Sequence, residues 1–298
     1  MRRRDFLAGV AVAGTAARAA MARVDAQAQI PARPARTGRI KQFLMRVNFG
    51  RATTLSFDDM CRIAVDGGAA GFELVGQQDW PTLKKYGLVC STSGSANFNL
   101  RDGSIRPELH DAIEKGLHAA IDVNAANGVR NIIAYGGERR GISDEQGKAA
   151  STALFTKVKA HAEDKGVTIC LEMVNSKYTD PEYGRADAIC DRLEWAADVC
   201  RRVNSPRMRI LCDMYHVQIQ EGDLVANIRK YFPLIGHFHA AGVPGRNELD
   251  DTQEVNWRFV AKTIADLGYT GYIAHEWRVT PGKDVADSVK RSVAALDV

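Results

Sequence analysis

Four short apolar runs in the second half of the chain each end in a residue able to bind a metal ion. "VTICLE" (167–172) ends in Glu172, "MRILCD" (208–213) in Asp213, "LIGHFH" (234–239) in His239 and "GYIAHE" (271–276) in Glu276. Three carboxylates gathered in one place repel and raise one another's pKa unless a cation sits among them. Two Glu, one Asp and one His offer mixed oxygen and imidazole donors. Such a set suits Mn²⁺, Mg²⁺ or Co²⁺ with positions open to substrate better than a closed structural Zn²⁺ site.

Further polar residues cluster around these four. In "GHFHAAGVPGRNELD" (236–250), His237 and His239 are two apart and so face the same side of a strand. His239, nearer the strand end, is read as the ligand and His237 as a deeper, hydrogen-bonded support, with the reverse assignment left open. His216, three residues past Asp213, begins the next helix within reach of the same pocket. Arg246 follows a Pro-Gly turn that can bring its guanidinium over the site. Glu73, in "GFELV" (71–75), has two readings: an inward supporting or substrate-binding group, or an acid facing solvent.

These residues need a scaffold that brings strand ends together. "FLMRVNF" (43–49), "GFELV" (71–75), "LVCSTS" (88–93) and "NIIAY" (131–135) join the four runs above as predicted strands. Between them lie stretches of helical period such as "ELHDAIEKGLHAAIDVNAANG" and "ADAICDRLEWAADVCRRVN", which end at Gly or Asn as helix C-termini often do. Alternating strands and helices imply a parallel sheet, because a parallel crossover needs a long connection. Eight such units over residues 40–298 predict an α/β fold, a single-domain (β/α)8 TIM barrel, with its active site at the C-terminal ends of the strands. The rival, an open doubly wound sheet, wants a Gly-rich turn after its first strand, and "NFGRATTLS" contains no GxGxxG.

Ahead of the barrel, residues 1–28 read as an export signal. Arg3-Arg4-Asp5-Phe6-Leu7 is a twin-arginine pattern, and the mildly apolar stretch from Phe6 to Ala17 is too short to span a bilayer. Cleavage is expected after Ala28, with Ala20 as the alternative, which places the mature protein in the periplasm or outside the cell. "QIPARPARTGR" (29–39) reads as a mobile linker. The leader's five Arg and two Asp account for most of the chain's net charge of +4. The remainder is close to neutral, which argues against a nucleic-acid partner, and no membrane segment is expected in the mature form. Six cysteines are spread without any CxxC and are expected to be mostly free and buried. Pairing of barrels into a homo-oligomer stays open.

"LE" at 171–172, "CDMYHVQIQEGDL" at 212–224, "IGHFHAAGVPGRNELDD" at 235–251, "EVNW" at 254–257 and "GYTGYIAHEW" at 268–277 resemble the hydroxypyruvate isomerase family. That family belongs to the xylose-isomerase-like TIM barrels, with the ketose 3-epimerases and inosose dehydratases. The resemblance is densest from about 165 to 280 and runs more weakly from residue 40. It implies a divalent metal at Glu172, Asp213, His239 and Glu276, and substrate contacts from His216 and Arg246. Hydroxypyruvate isomerases typically carry Gln at the position of His239, whereas the epimerase relatives carry His, and "STSGSANFN" after the third strand also departs from the isomerase pattern. The activity that the resemblance implies is a metal-dependent isomerase or epimerase acting on a small keto acid or ketose, in which the cation holds adjacent carbonyl and hydroxyl oxygens and stabilises an enediolate, with Glu172 and Glu276 serving as base and acid as well as ligands. The alternatives are an exported lyase for 3-keto-glycosides or inososes and a non-catalytic sugar-binding barrel. A three-zinc apurinic endonuclease would need an Asp-x-His after the seventh strand, and "DDTQEVN" supplies no histidine.

Overall fold

The computed structural model describes residues 37–177 and 186–298. The export signal read at 1–28 and most of the linker lie outside the described residues. Of the linker, Thr37 bonds to Asp297 at the far end of the chain and Arg39 pairs with Asp266 at 2.8 Å, so its last residues are anchored.

Among the described residues, nine strands form one sheet: β1 (Lys41–Leu44), β2 (Gly71–Phe72), β3 (Val89–Cys90), β4 (Thr92–Ser93), β5 (Asn131–Tyr135), β6 (Thr168–Glu172), β7 (Met208–Asp213), β8 (Ile235–Ala240) and β9 (Tyr272–His275). Every pairing is parallel, in the order β3-β2-β1-β9-β8-β7-β6-β5-β4. The two edges of this sheet, β3 and β4, are separated only by Ser91. Its N–H donates to Phe72 O at 3.1 Å on one side, and its carbonyl accepts from Asn131 N at 3.2 Å on the other. The edges are therefore halves of one interrupted strand, and the sheet closes into the eightfold barrel expected from the repeat.

Helices α1 (Phe57–Gly67), α2 (Trp80–Lys85), α3 (His110–Asn127), α4 (Asp144–Lys165), α5 (Leu193–Val203), α6 (Met214–Gln220), α7 (Leu224–Tyr231), α8 (Trp257–Asp266) and α9 (Val285–Ala295) complete the crossovers. Their ends follow local chemistry. Ser56 with Asp59 and Ser143 with Gln146 form reciprocal N-terminal caps on α1 and α4, and Gly68, Gly128 and Gly166 close helices in the left-handed region. No helix among the described residues is long and apolar enough to cross a membrane. All six cysteines are buried and free.

Two predicted strands are redrawn. The run at 43–49 is a strand only to Leu44; residues Arg46–Phe49 turn into a 3-10 helix. The cause is Asn48, whose side chain accepts from Met45 N and donates to the Trp277 carbonyl, both at 2.7 Å, pulling the chain inward. After Phe72, Leu74 adopts φ 53°, so β2 ends as Glu73 enters the barrel, although Glu73 N still bonds to Leu44 O at 2.9 Å. Close strand approach also explains Gly71, where an added Cβ would sit 1.9 Å from Val89 O and 2.7 Å from the Phe43 ring. Gly71→Ala is expected to lower stability by about 1–3 kcal/mol, read as an earlier denaturant midpoint. An unchanged midpoint would show that the β2–β3 contact is looser than this.

Candidate functional site

Strand register sets the site. Tyr135 lies beside Glu172 and Asp213 beside His239, while Glu276 directly follows β9 with its N–H on Ala240 O at 2.9 Å. Because alternate residues share a face, the rows that include Ile133, Cys170, Leu211 and His237 deeper in the barrel end in Tyr135, Glu172, Asp213 and His239 at the mouth. One donor atom from each of Glu172, Asp213, His239 and Glu276 lies within 4.8 Å of all the others. A cavity of about 270 Å³ is lined by two of them, Glu172 and Glu276, with Glu73, His216 and Arg246 also among its polar walls and Leu74, Leu100 and Val174 among its apolar ones.

His239 settles its own orientation. Its Nδ1 is 2.6 Å from Glu276 Oε2 and 3.5 Å from Glu172 Oε1, and its Nε2 is 2.7 Å from Glu73 Oε1. His237 instead turns its Nε2 to Glu73 Oε2 at 2.7 Å, one layer below. The structure thus brings His239, and not His237, to the three carboxylates. Glu73 faces inward and is wholly buried, which removes the solvent-facing reading.

Arg246 is deeper than a loop residue over the mouth would be. Chain turning at Gly245 (φ 90°) and Arg246 itself (φ 56°) drives the side chain down until it is 3% exposed. Its guanidinium reaches Asp213 Oδ2 at 3.1 Å, Glu276 Oε2 at 2.8 Å and His216 Nε2 at 2.9 Å, and lies 4.8 Å from the Tyr215 ring centre. Arginine can only donate, so His216 Nε2 accepts and Nδ1 carries the proton. The Asn175 amide nitrogen lies 2.7 Å from Nδ1, and a proton on Nδ1 requires this amide to be turned about so that its oxygen faces the ring and accepts. Asp213 also caps α6, accepting from Tyr215 N at 2.9 Å, which holds His216 in place. Sequence reasoning missed Asn175, Tyr215 and Tyr135. Tyr135 was findable, as the polar last residue of β5; the other two owe their roles to Arg246 and His216.

Electrostatics agree with a missing share of positive charge. Burial raises Glu172 to about 7, with Glu276 and Asp213 adding to the rise and His239 opposing it. Asp213 is raised to about 6 by burial and Glu276 against the pull of Arg246. Burial alone would also raise Glu276, but Arg246 and His239 hold it well below the usual carboxylate range. Burial opposes charge on His239, yet Glu73 and Glu276 raise it well above the ordinary imidazole value. Burial and Arg246 keep His216 neutral. The buried carboxylates of Glu172 and Asp213, the partly buried carboxylate of Glu276 and the His239 imidazole form a donor set that fits a divalent cation, with Arg246 offsetting only part of their negative charge.

A pH dependence follows. Glu172 rises from 4.5 and Asp213 from 3.8, so in the metal-free protein their contribution to stability is fully present below those ordinary values. It is lost as pH climbs through about 6 to 7. His239, also raised, acts in the same direction. A cation that displaces these protons binds better at higher pH. The rise in melting temperature on adding Mn²⁺ is expected to be larger at pH 8 than at pH 5.5; an equal or larger rise at pH 5.5 would contradict this charge assignment.

Fold and site together define a TIM barrel with a buried carboxylate–imidazole centre at the C-terminal ends of its strands. The chain belongs to the xylose isomerase-like TIM barrel family, whose model matches residues 81–297. A Xenopus laevis protein provisionally named hydroxypyruvate isomerase is 32% identical over 233 residues, covering 70% of this chain and 81% of that protein. A 2-oxo-tetronate isomerase from Cupriavidus necator is 32% identical over 121 residues, 41% of this chain and 44% of that one. Among solved structures, the fold is similar to an AP endonuclease of family 2 from Brucella melitensis (TM-score 0.73, 20% identity, 84% of this chain and 96% of that one). It is also similar to a 3-keto-D-glucoside 4-epimerase from E. coli (TM-score 0.70, 18% identity, 86% and 98%).

Proposed function

We propose that this protein is a divalent-metal-dependent isomerase or epimerase that interconverts small keto acids or ketoses through an enediolate. The observation that carries the reading is the convergence of Glu172, Asp213, His239 and Glu276, of which Glu172 and Glu276 also line one small cavity where they can move a proton. The relatives named hydroxypyruvate isomerase and 2-oxo-tetronate isomerase support it, as does the fold shared with a keto-sugar epimerase.

Glu172, Asp213, His239 and Glu276 would hold Mn²⁺, Mg²⁺ or Co²⁺, which when bound supplies positive charge to adjacent substrate oxygens. The chain's own residues do the rest. Glu172 and Glu276 come from β6 and from just beyond β9, and both line the cavity. One takes the proton from the carbon beside the carbonyl, and the other returns it to the neighbouring carbon or the opposite face. Arg246 turns its guanidinium toward the developing oxyanion, and His216, held neutral with its Nε2 lone pair thereby released, accepts from a substrate hydroxyl. Leu74, Leu100 and Val174 keep the walls apolar, which strengthens these interactions. The cavity suits a small molecule, and no nucleic acid is required.

We also propose that the twin-arginine signal at the N-terminus exports the folded protein, so that it acts in the periplasm or outside the cell. The activity is tested by offering metal-stripped protein, with and without Mn²⁺, Mg²⁺ or Co²⁺, to hydroxypyruvate, 2-oxo-tetronate, a ketohexose, an inosose and a 3-keto-glucoside. Metal-dependent isomerisation or epimerisation of at least one is expected. Conversion only by loss of water or of an aglycone would overturn the reading in favour of a lyase, and full activity in chelator would overturn metal dependence.

A further inference from the structure

The end of the barrel opposite the candidate metal centre holds a larger cavity, about 620 Å³, at the starts of strands β5 to β9. Arg130 and Arg207, from just before β5 and β7, line it together with the rings of Phe232, Tyr269 and Tyr272. No carboxylate lines it among the described residues. We infer that this cavity is a binding site for a small phosphate monoester, whose phosphoryl group is held by Arg130 and Arg207 and whose organic part lies on the aromatic wall. None of its residues is a candidate metal ligand, so the inference stands independently of the proposed activity.

Unspent positive charge carries the argument. An arginine offers five N–H donors in a planar fork and keeps its charge at any working pH. Arg209, close by on β7, shows a purely structural use of that fork. Its Nη1 donates to the Pro233 carbonyl at 3.3 Å, and its stem packs on Gly236, where an added Cβ would lie 2.7 Å from Arg209 Cβ. Arg130 and Arg207 are used differently. The Arg130 guanidinium lies 5.4 Å from the Tyr272 ring centre, and that of Arg207 makes one long contact, from Nη1 to Thr168 Oγ1 at 3.4 Å. Neither forms an ion pair with a carboxylate among the described residues. Two such forks on one concave surface without acids create a local positive potential that favours an anion.

The charge count selects the anion. A phosphate monoester brings about −1.5 to −2 near neutral pH and three acceptor oxygens, which matches two guanidinium forks; a carboxylate brings a single charge. The wall beside them is formed in advance. The Tyr269 hydroxyl donates to the Tyr272 carbonyl at 2.9 Å and accepts from Tyr272 N at 3.1 Å, which ties the 269–272 turn across the barrel floor. Gly271 lies inside that turn, where an added Cβ would collide with the Tyr269 hydroxyl. Arg130 over the Tyr272 ring keeps cation and aromatic surface side by side. The volume falls within the range of about 300–1,000 Å³ common for small-molecule sites.

Phenyl phosphate joins the dianion to one ring and serves as the probe, titrated by calorimetry into the full chain in the presence of chelator. Benzoate, inorganic phosphate and phenol are titrated beside it. Arg130 is exposed and Arg207 half-buried, so Arg130→Gln and Arg207→Gln are expected to keep the wild-type circular dichroism. The expected results are one phenyl phosphate per chain, affinity at least about tenfold weaker in each variant, weaker binding of benzoate and inorganic phosphate, and none of phenol. Arg207→Lys, which keeps the charge and loses the fork, should lose less than Arg207→Gln, as a packing defect would not. Absence of saturable binding to wild type, or wild-type affinity in either Gln variant, would overturn the site. Benzoate binding as tightly as phenyl phosphate would overturn the phosphate class, and inorganic phosphate doing so would overturn the role of the aromatic wall.

Discussion

Glu276→Gln is expected to lower turnover at least about 10³-fold, within the range that a positioned acid or base supplies, while the fold survives. Its backbone N–H bonds to Ala240 O at 2.9 Å, so the strand ladder does not depend on the side chain. Gln keeps the volume and one oxygen for Arg246, which now sits 2.8 Å from Glu276 Oε2. It cannot accept a proton near neutral pH, and its NH₂ group is a poor partner for either Arg246 or a metal. Circular dichroism should stay close to wild type as the catalytic rate collapses, with the melting temperature lowered because Arg246 and His239 lose the carboxylate they share. A rate within tenfold of wild type would remove Glu276 from the chemistry.

Arg246→Leu has a different signature. In the metal-free protein it strips the guanidinium from Asp213, Glu276 and His216 together, leaving buried carboxylates without their cation. Breaking a buried pair from one side costs about 3–5 kcal/mol, so the metal-free variant should melt well below wild type. A divalent metal replaces the lost positive charge. Mn²⁺ should therefore restore most of the stability and bind at least as tightly as in wild type, because one competing cation has gone. Activity should not return: losing a charged hydrogen bond to substrate lowers kcat/KM by about 10- to 100-fold. Thermal melts and steady-state rates with and without Mn²⁺ separate these effects. Weaker Mn²⁺ binding in Arg246→Leu would mean that the arginine organises the ligands instead of competing with the metal.

The four candidate ligands were legible because strand alternation and the barrel's polarity together say where a strand-terminal side chain must point. The same rule distinguishes neighbours within one run. His275, one residue before Glu276, faces the other way: Gln42 lies 2.9 Å from its Nε2, Trp277 donates to its Nδ1, and burial lowers it to about 3. It is a structural histidine beside a candidate catalytic glutamate. What the sequence could not show depends on residues far apart along the chain. Asn48 bends β1 inward only because the Trp277 carbonyl, 229 positions away, accepts its amide. Arg246 was expected over the mouth and is instead buried among carboxylates, since its depth is set by Asp213 and Glu276 from two other strands. The inward direction of Glu73 likewise becomes visible only when His237 and His239, more than 160 positions on, fold against it.

Solvent exchange tests the central claim most directly. The protein, stripped and reloaded with Mn²⁺, would be incubated in D₂O with each of the five substrates named above, and NMR spectra recorded after metal removal. The enediolate account predicts deuterium at the carbon beside the carbonyl of at least one substrate, dependent on both metal and an intact Glu276. Conversion with no deuterium from solvent, metal-independent exchange, or undiminished exchange in Glu276→Gln would contradict it.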